Sequence, residues 1–218
     1  MTEPVASNTT PKVRPAPGLD VFYPIVPDLG WLERIVPLGV RTVQLRIKDL
    51  GDGEVRRQVR AGLKLCGAHG CQLIVNDHWQ AAIAEGADYI HLGQEDLAGA
   101  DLEAIRAAGM KLGISTHSDA ELEVALAAKP DYVALGPIYE TKLKAMKWAP
   151  QGLDRVGAWK ARIGDLPLVG IAGITIERAT GVIAAGAQSV AVVTDFLTHD
   201  HPERRIGEWL AWAEAIRA

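Results

Sequence analysis

Val43-Gln44-Leu45-Arg46-Ile47-Lys48 alternates strictly between apolar and polar side chains. Successive side chains of a strand point to opposite faces, so Val43, Leu45 and Ile47 share one face and Gln44, Arg46 and Lys48 the other. A surface strand could carry this pattern. This one lies early in a chain of repeating strand–helix units, where parallel strands are normally buried on both faces. The pattern therefore predicts an amide and two cations in a row inside the protein. Buried charge is costly unless paired, so an anionic partner is expected.

Working outward, short β-branched or aliphatic runs recur, each followed by an amphipathic, Ala-rich stretch. Strands are predicted over 21–26, 42–48, 72–75, 89–92, 111–115, 132–135, 168–171 and 189–193. Helices are predicted over 54–66, 79–85, 101–108, 119–127, 153–162, 176–185 and 202–217, with Asp77, Ser118 and Thr175 as N-caps and Pro202 in a first turn. Gly-Ala-Asp at 86–88 and Gly-Ala-Gln at 186–188 fit left-handed helix ends. Strict alternation argues for a parallel (β/α)8 barrel, and 218 residues make it a small one. A doubly wound open sheet is the runner-up, but no G-x-G-x-x-G follows the first strand.

Residues 1–18, rich in Pro, Thr and Ser, read as a disordered tail, leaving 19–218 as one catalytic barrel domain. The tail has no apolar core of a secretion signal, so the cytoplasm is the expected location. No apolar run is long enough for a membrane span, and a net charge of −4 gives no nucleic-acid footprint. Cys66 and Cys71 read as reduced structural thiols. A zinc site would need ligands that His69 alone does not supply.

In such a barrel the chemistry belongs at the C-terminal strand ends. Arg46 and Lys48, with Gln44 behind them, make a wall of donors suited to phosphate; a structural ion pair is the bland alternative. The third strand ends in Asn76-Asp77, and Asp77 could equally cap the next helix. The fourth carries His91 and ends in Gly93-Gln94-Glu95-Asp96. Carboxylates from neighbouring strands suit Mg²⁺, which takes one or two of them and completes its shell with water and phosphate oxygens. His91 reads as a packed, hydrogen-bonded residue rather than a base. Ser115, ending the fifth strand, offers a hydroxyl; nearby His117 does not by itself make a triad.

The long connection 136–152, with Thr141, Lys142, Lys144 and Lys147, is a candidate lid. Ala172-Gly173 after the seventh strand, and Val193-Thr194 after the eighth, suit the backbone phosphate site common in these barrels. His199-Asp200-His201 reads as a polar turn, and Trp209 and Trp212 as packing against the barrel.

Taken together, several segments resemble the thiamine-phosphate synthase (thiamine-phosphate pyrophosphorylase) family. They are Gln44–Lys48, Asn76-Asp77, His91 to Asp96, Gly113 to His117, Gly136-Pro137-Ile138-Tyr139 with Thr141 and Lys144, Pro150 to Leu153, and Val169 to Ile174. The likeness runs from about Tyr23 to the final helix. It implies a transferase that joins hydroxymethylpyrimidine diphosphate to hydroxyethylthiazole phosphate and releases diphosphate. By matching positions, Gln44, Leu45, Arg46, Ile47, Lys48, Asn76, Ser115 and Lys144 would hold the pyrimidine diphosphate. Thr141, Lys142, Leu143, Gly173, Val193 and Thr194 would hold the thiazole phosphate, and Asp77 and Asp96 would bind Mg²⁺. Arg46, Lys48, Ser115 and Lys144 would form the catalytic set. The partners are small-molecule substrates, with a homo-oligomer left open.

The chain departs from the family at Leu143, where a Thr is common, and at Ala172, where a Gly is frequent. A related thiazole tautomerase shares the barrel but typically has His where Pro137 stands and lacks the metal carboxylates. It is the alternative, together with a non-catalytic phosphate-ligand-binding barrel.

Overall fold

The structure is a computed structural model, which describes residues 11–141 and 148–218. The predicted lid residues Lys142, Leu143, Lys144 and Lys147 lie outside the described residues.

Eight parallel strands close a barrel in chain order: β1 Phe22–Val26, β2 Thr42–Leu45, β3 Gln72–Asn76, β4 Tyr89–Leu92, β5 Lys111–Thr116, β6 Tyr132–Leu135, β7 Leu168–Ile171 and β8 Ser189–Val192, with β8 pairing back onto β1. The helices are α1 Leu29–Ile35, α2 Asp52–Ala68, α3 Trp79–Glu85, α4 Gln94–Gly99, α5 Leu102–Ala107, α6 Asp119–Ala127, α7 Gly152–Ile163, α8 Ile176–Ala184, α9 Thr194–Leu197 and α10 Pro202–Ile216. This is the (β/α)8 barrel that the alternation predicts. Helices α1, α4 and α9 were not predicted. At seven, six and four residues they are one to two turns long, and their stability comes from packing rather than propensity.

Two apolar layers hold the fold. Val43, Leu45, Ile47 and their counterparts on the other strands pack outward against the helices. Tyr23, Ile25, Ile74, Tyr89, Tyr132, Ala134, Val169 and Ala191 fill the barrel itself. Trp209 of α10 stacks on Phe22 of β1, with centroids 5.0 Å apart and planes 5° from parallel. Predicted caps are partly realised. Ser118 Oγ accepts from Glu121 N–H, and Gly86 ends α3 at a φ of 73°. Thr175 stands at the N-cap of α8 but accepts no capping bond there.

Three expectations are corrected. Strand β2 stops at Leu45, not residue 48. Arg46 N–H still donates to the Val26 carbonyl at 2.8 Å, but the Arg46 and Lys48 side chains are exposed at the barrel's rim. Only Gln44 of the polar trio is buried, at 2% exposure. The cations reach water by projecting from the strand's end, which avoids the desolvation cost of burial. Asp77 caps no helix: His78 takes that position in α3, and Asp77 adopts a φ of 64°. Residues 11–18, read as part of a disordered tail, are placed against the barrel. Val13 N–H donates to the Ile216 carbonyl at 3.0 Å, and Ala16 packs against the interior apolar layer. Composition alone cannot reveal this, because the partner residues lie at the other end of the chain.

Candidate active site

Strand parity decides what enters the barrel mouth. Gln44 (β2), Asn76 (β3), His91 (β4) and Ser115 (β5) occupy inward positions towards the C-terminal ends, and register pairs Asn76 with His91. Gln44 Nε2 donates to Tyr23 Oη at 2.7 Å, and Ser115 Oγ lies 2.8 Å from His91 Nε2. Asn76 is 5% exposed, and its Nδ2 has no hydrogen-bond partner among the described residues. A buried amide donor without a partner costs on the order of 1–3 kcal/mol, so this orphan calls for an acceptor delivered by a ligand.

Beyond these residues the rim is charged. Lys48 Nζ lies 2.6 Å from Asp77 Oδ2, with the lysine half exposed and the aspartate nearly buried. Arg46 makes no ion pair among the described residues. Asp96, in the first turn of α4, stands beside Asp77, so carboxylates from the β3 and β4 ends meet as expected. Burial raises the Asp77 carboxyl, but the Lys48 hydrogen bond and charge outweigh it and hold the group below its ordinary value. Burial and the Asp77 charge push Asp96 up. No cluster of three or more His, Cys, Asp or Glu suited to a metal occurs among the described residues. Two carboxylates at an open rim fit Mg²⁺, whose other positions are filled by water and phosphate oxygens.

The other half of the mouth is built from backbone. Ala172 and Gly173 follow β7 with φ of 74° and 67°. A side chain on Gly173 would collide with the Glu140 carbonyl and the Tyr139 backbone, so this turn needs glycine twice over. Val193 and Thr194 open the short helix α9 directly after β8. A short helix at this point, beside the β7 turn, is the recurrent phosphate site of the fold. Asp195 is turned away, accepting from Arg205 Nε at 2.8 Å and Trp209 Nε1 at 2.7 Å. Thr141 lies at the edge of the described residues after β6.

The remaining candidates stay apart. His117 Nδ1 lies 2.8 Å from Glu121 Oε2 and is not part of the inward set, so no triad forms with Ser115. His199 Nδ1 accepts from His201 N–H, a polar turn as expected. Burial drives His91 down to about 4, leaving it neutral, with the nearby Arg46 charge acting the same way and Asp77 opposing. Tyr23 and Tyr132 belong to the inward set although neither stands at a C-terminal strand end. Their signal was present: each sits at an inward parity position, and Tyr132 pairs in register with Gly113.

Fold and rim together define the class: a (β/α)8 barrel with its cations, carboxylates and orphan amide gathered at the C-terminal mouth, the end where enzymes of this fold work. A family model described as thiamine monophosphate synthase matches residues 23–196. The thiamine-phosphate synthase of Rhizobium etli is 58% identical over 193 residues, covering 88% of this chain and 95% of that protein. That of Escherichia coli K12 is 48% identical over 184 residues, covering 84% and 87%. A solved thiamine phosphate pyrophosphorylase from Pyrococcus furiosus superposes with a TM-score of 0.78 at 22% identity, over 90% of this chain and 96% of that one, which supports the fold. The chain belongs to the thiamine monophosphate synthase family and is an enzyme, a transferase. No helix among the described residues is long and apolar enough to cross a membrane.

Proposed function

We propose that the chain condenses 4-amino-2-methyl-5-hydroxymethylpyrimidine diphosphate with 4-methyl-5-(2-hydroxyethyl)thiazole phosphate, giving thiamine phosphate and diphosphate. The observation that carries this is the orphaned Asn76 amide, on the strand that pairs with the one bearing Gln44 and next in sequence to Asp77 of the Lys48–Asp77 pair. Its missing partner is an acceptor, and the cations beside it favour an anion. The aminopyrimidine sits over Gln44. Its diphosphate meets Arg46, Lys48, Asn76, Ser115 and Lys144, while the thiazole phosphate meets Thr141–Leu143, Gly173 and the α9 backbone. Leu45 and Ile47 contribute by holding this strand in the apolar layer behind it.

Asp77 and Asp96 would hold Mg²⁺, which would supply positive charge to offset the charge that develops on the leaving diphosphate. The bond from the pyrimidine methylene to the diphosphate oxygen breaks first. Negative charge grows on the leaving group, so Arg46, Lys48 and Lys144 stabilise the transition state more than the ground state. The thiazole nitrogen, held close by its phosphate anchor, then attacks the methylene cation. That nitrogen carries no proton, so no general base is required, consistent with a neutral, hydrogen-bonded His91. The cytoplasm suits the enzyme, since Cys66 and Cys71 are free thiols. Purified protein incubated with both substrates and Mg²⁺ should form equal amounts of diphosphate and thiamine phosphate. No product at saturating substrate would refute the proposal.

A further inference from the structure

Five side chains from five strands form one hydrogen-bonded line through the barrel. Gln44 Nε2 donates to Tyr23 Oη at 2.7 Å, Tyr23 Oη meets Tyr132 Oη at 3.0 Å, Tyr132 Oη meets His91 Nδ1 at 2.7 Å, and His91 Nε2 meets Ser115 Oγ at 2.8 Å. Tyr23, Gln44, His91 and Tyr132 are all buried. A buried hydroxyl proton with no acceptor is costly, so each proton must go to the next atom in line.

The Gln44 amide then sets the direction. Its N–H points at Tyr23 Oη, so the Tyr23 proton goes to Tyr132, and the Tyr132 proton goes to His91 Nδ1. A neutral imidazole that accepts at Nδ1 carries its proton on Nε2, and this proton is donated to Ser115 Oγ. The Ser115 proton is left over for a ligand. At the other end, Gln44 Oε1 accepts no hydrogen bond among the described residues.

We propose that Tyr23, Tyr132 and His91 are positioning residues that lock Gln44 and Ser115 into opposite roles towards the substrate. Gln44 Oε1 is held as an acceptor and Ser115 Oγ–H as a donor. Resting on the pyrimidine reading above, this arrangement selects a ring whose amino group faces Gln44 over the same ring bearing an oxo group. An oxo ring needs the Gln44 amide turned over. Turning it reverses every proton in the line, so Ser115 then donates to His91 and offers only lone pairs to the anion. A wrong atom at Gln44 therefore weakens binding at Ser115 as well. His91 transfers no proton in this scheme.

Nitrogen-15 NMR of histidine-labelled wild type tests the line directly, the His91 signals being assigned by their loss in His91→Gln. The expected result is a protonated Nε2 and an unprotonated Nδ1. Tyr132→Phe removes the proton given to Nδ1. The second tautomer should then appear, and the binding preference for the 4-amino over the 4-oxo pyrimidine diphosphate should fall about tenfold. A proton on Nδ1 in the wild type overturns the proposal, whether or not Tyr132→Phe folds; so does unchanged discrimination in that variant. If the wild type binds neither pyrimidine diphosphate, the substrate reading fails and with it the selectivity, while the wild-type tautomer still decides the direction of the line.

Discussion

Gly113 leaves the space that the Tyr132 ring occupies. The two are register partners on β5 and β6, and a Cβ built on Gly113 would lie 2.1 Å from the nearest Tyr132 ring carbon. The glycine is thus a packing requirement of the barrel interior, because the tyrosine crosses that space to reach Tyr23 and His91.

Gly113→Ala should therefore destabilise the fold by about 3 kcal/mol, the upper end of overpacking costs. Denaturant unfolding checks this. The double variant Gly113→Ala/Tyr132→Ala should lose less than the sum of the two single losses. Purely additive destabilisation would show that the ring is not what the new methyl group meets.

Asp77→Asn and Asp96→Asn should each lower turnover by about 10²-fold or more, because charge stabilisation of a leaving group is of that size. Steady-state rates titrated with Mg²⁺ supply the check. Unchanged Mg²⁺ dependence in Asp77→Asn would rule out the carboxylate pair as the metal site.

The same pair predicts a pH dependence. Asp96 is held above its ordinary value by burial and by the Asp77 charge, and a divalent cation binds only its deprotonated form. Mg²⁺ affinity in the presence of diphosphate should be complete well above that raised value. It should decline as pH falls through it, before the ordinary aspartate range near about 4 is reached. Calorimetry at stepped pH measures this, and Asp96→Asn supplies the titration of the ligand itself. A midpoint within the ordinary range would mean that the two carboxylates do not interact.

Gln44→Ala should weaken binding of the pyrimidine diphosphate more than binding of free diphosphate, because Gln44 is buried below the rim while Arg46 and Lys48 stand on it. Competition binding with the two ligands separates the cases, and equal losses would refute the division of labour.

Arg217 makes a two-pronged pair with Asp20, at 2.8 and 2.6 Å, with the aspartate only 5% exposed. Arg217→Ala leaves that carboxylate buried and unpaired, and should destabilise by about 3 kcal/mol. Asp20→Asn added to it should restore much of the loss in thermal unfolding. No restoration would place the effect in lost packing instead.

Strand parity and strand–helix alternation are local properties of the chain, and they determined the barrel and the inward position of Gln44, and put Asp77 and Asp96 just past the ends of neighbouring strands. The longer helices α2, α6, α7, α8 and α10 were equally legible, as were the shorter α3 and α5. Only the tertiary structure decided where β2 ends, because its pairings with Val26 of β1 and Val75 of β3 stop at Leu45, whatever the alternation of Val43 to Lys48, and Arg46 and Lys48 escape burial beyond them. It alone tied residues 11–18 to the C-terminus and set Gly113 against Tyr132, since those partners are distant in sequence and a contact between them has no local signature. It also turned Gln44 and Ser115 into two ends of one line. A hydrogen-bond direction exists only when every donor and acceptor along it is in place.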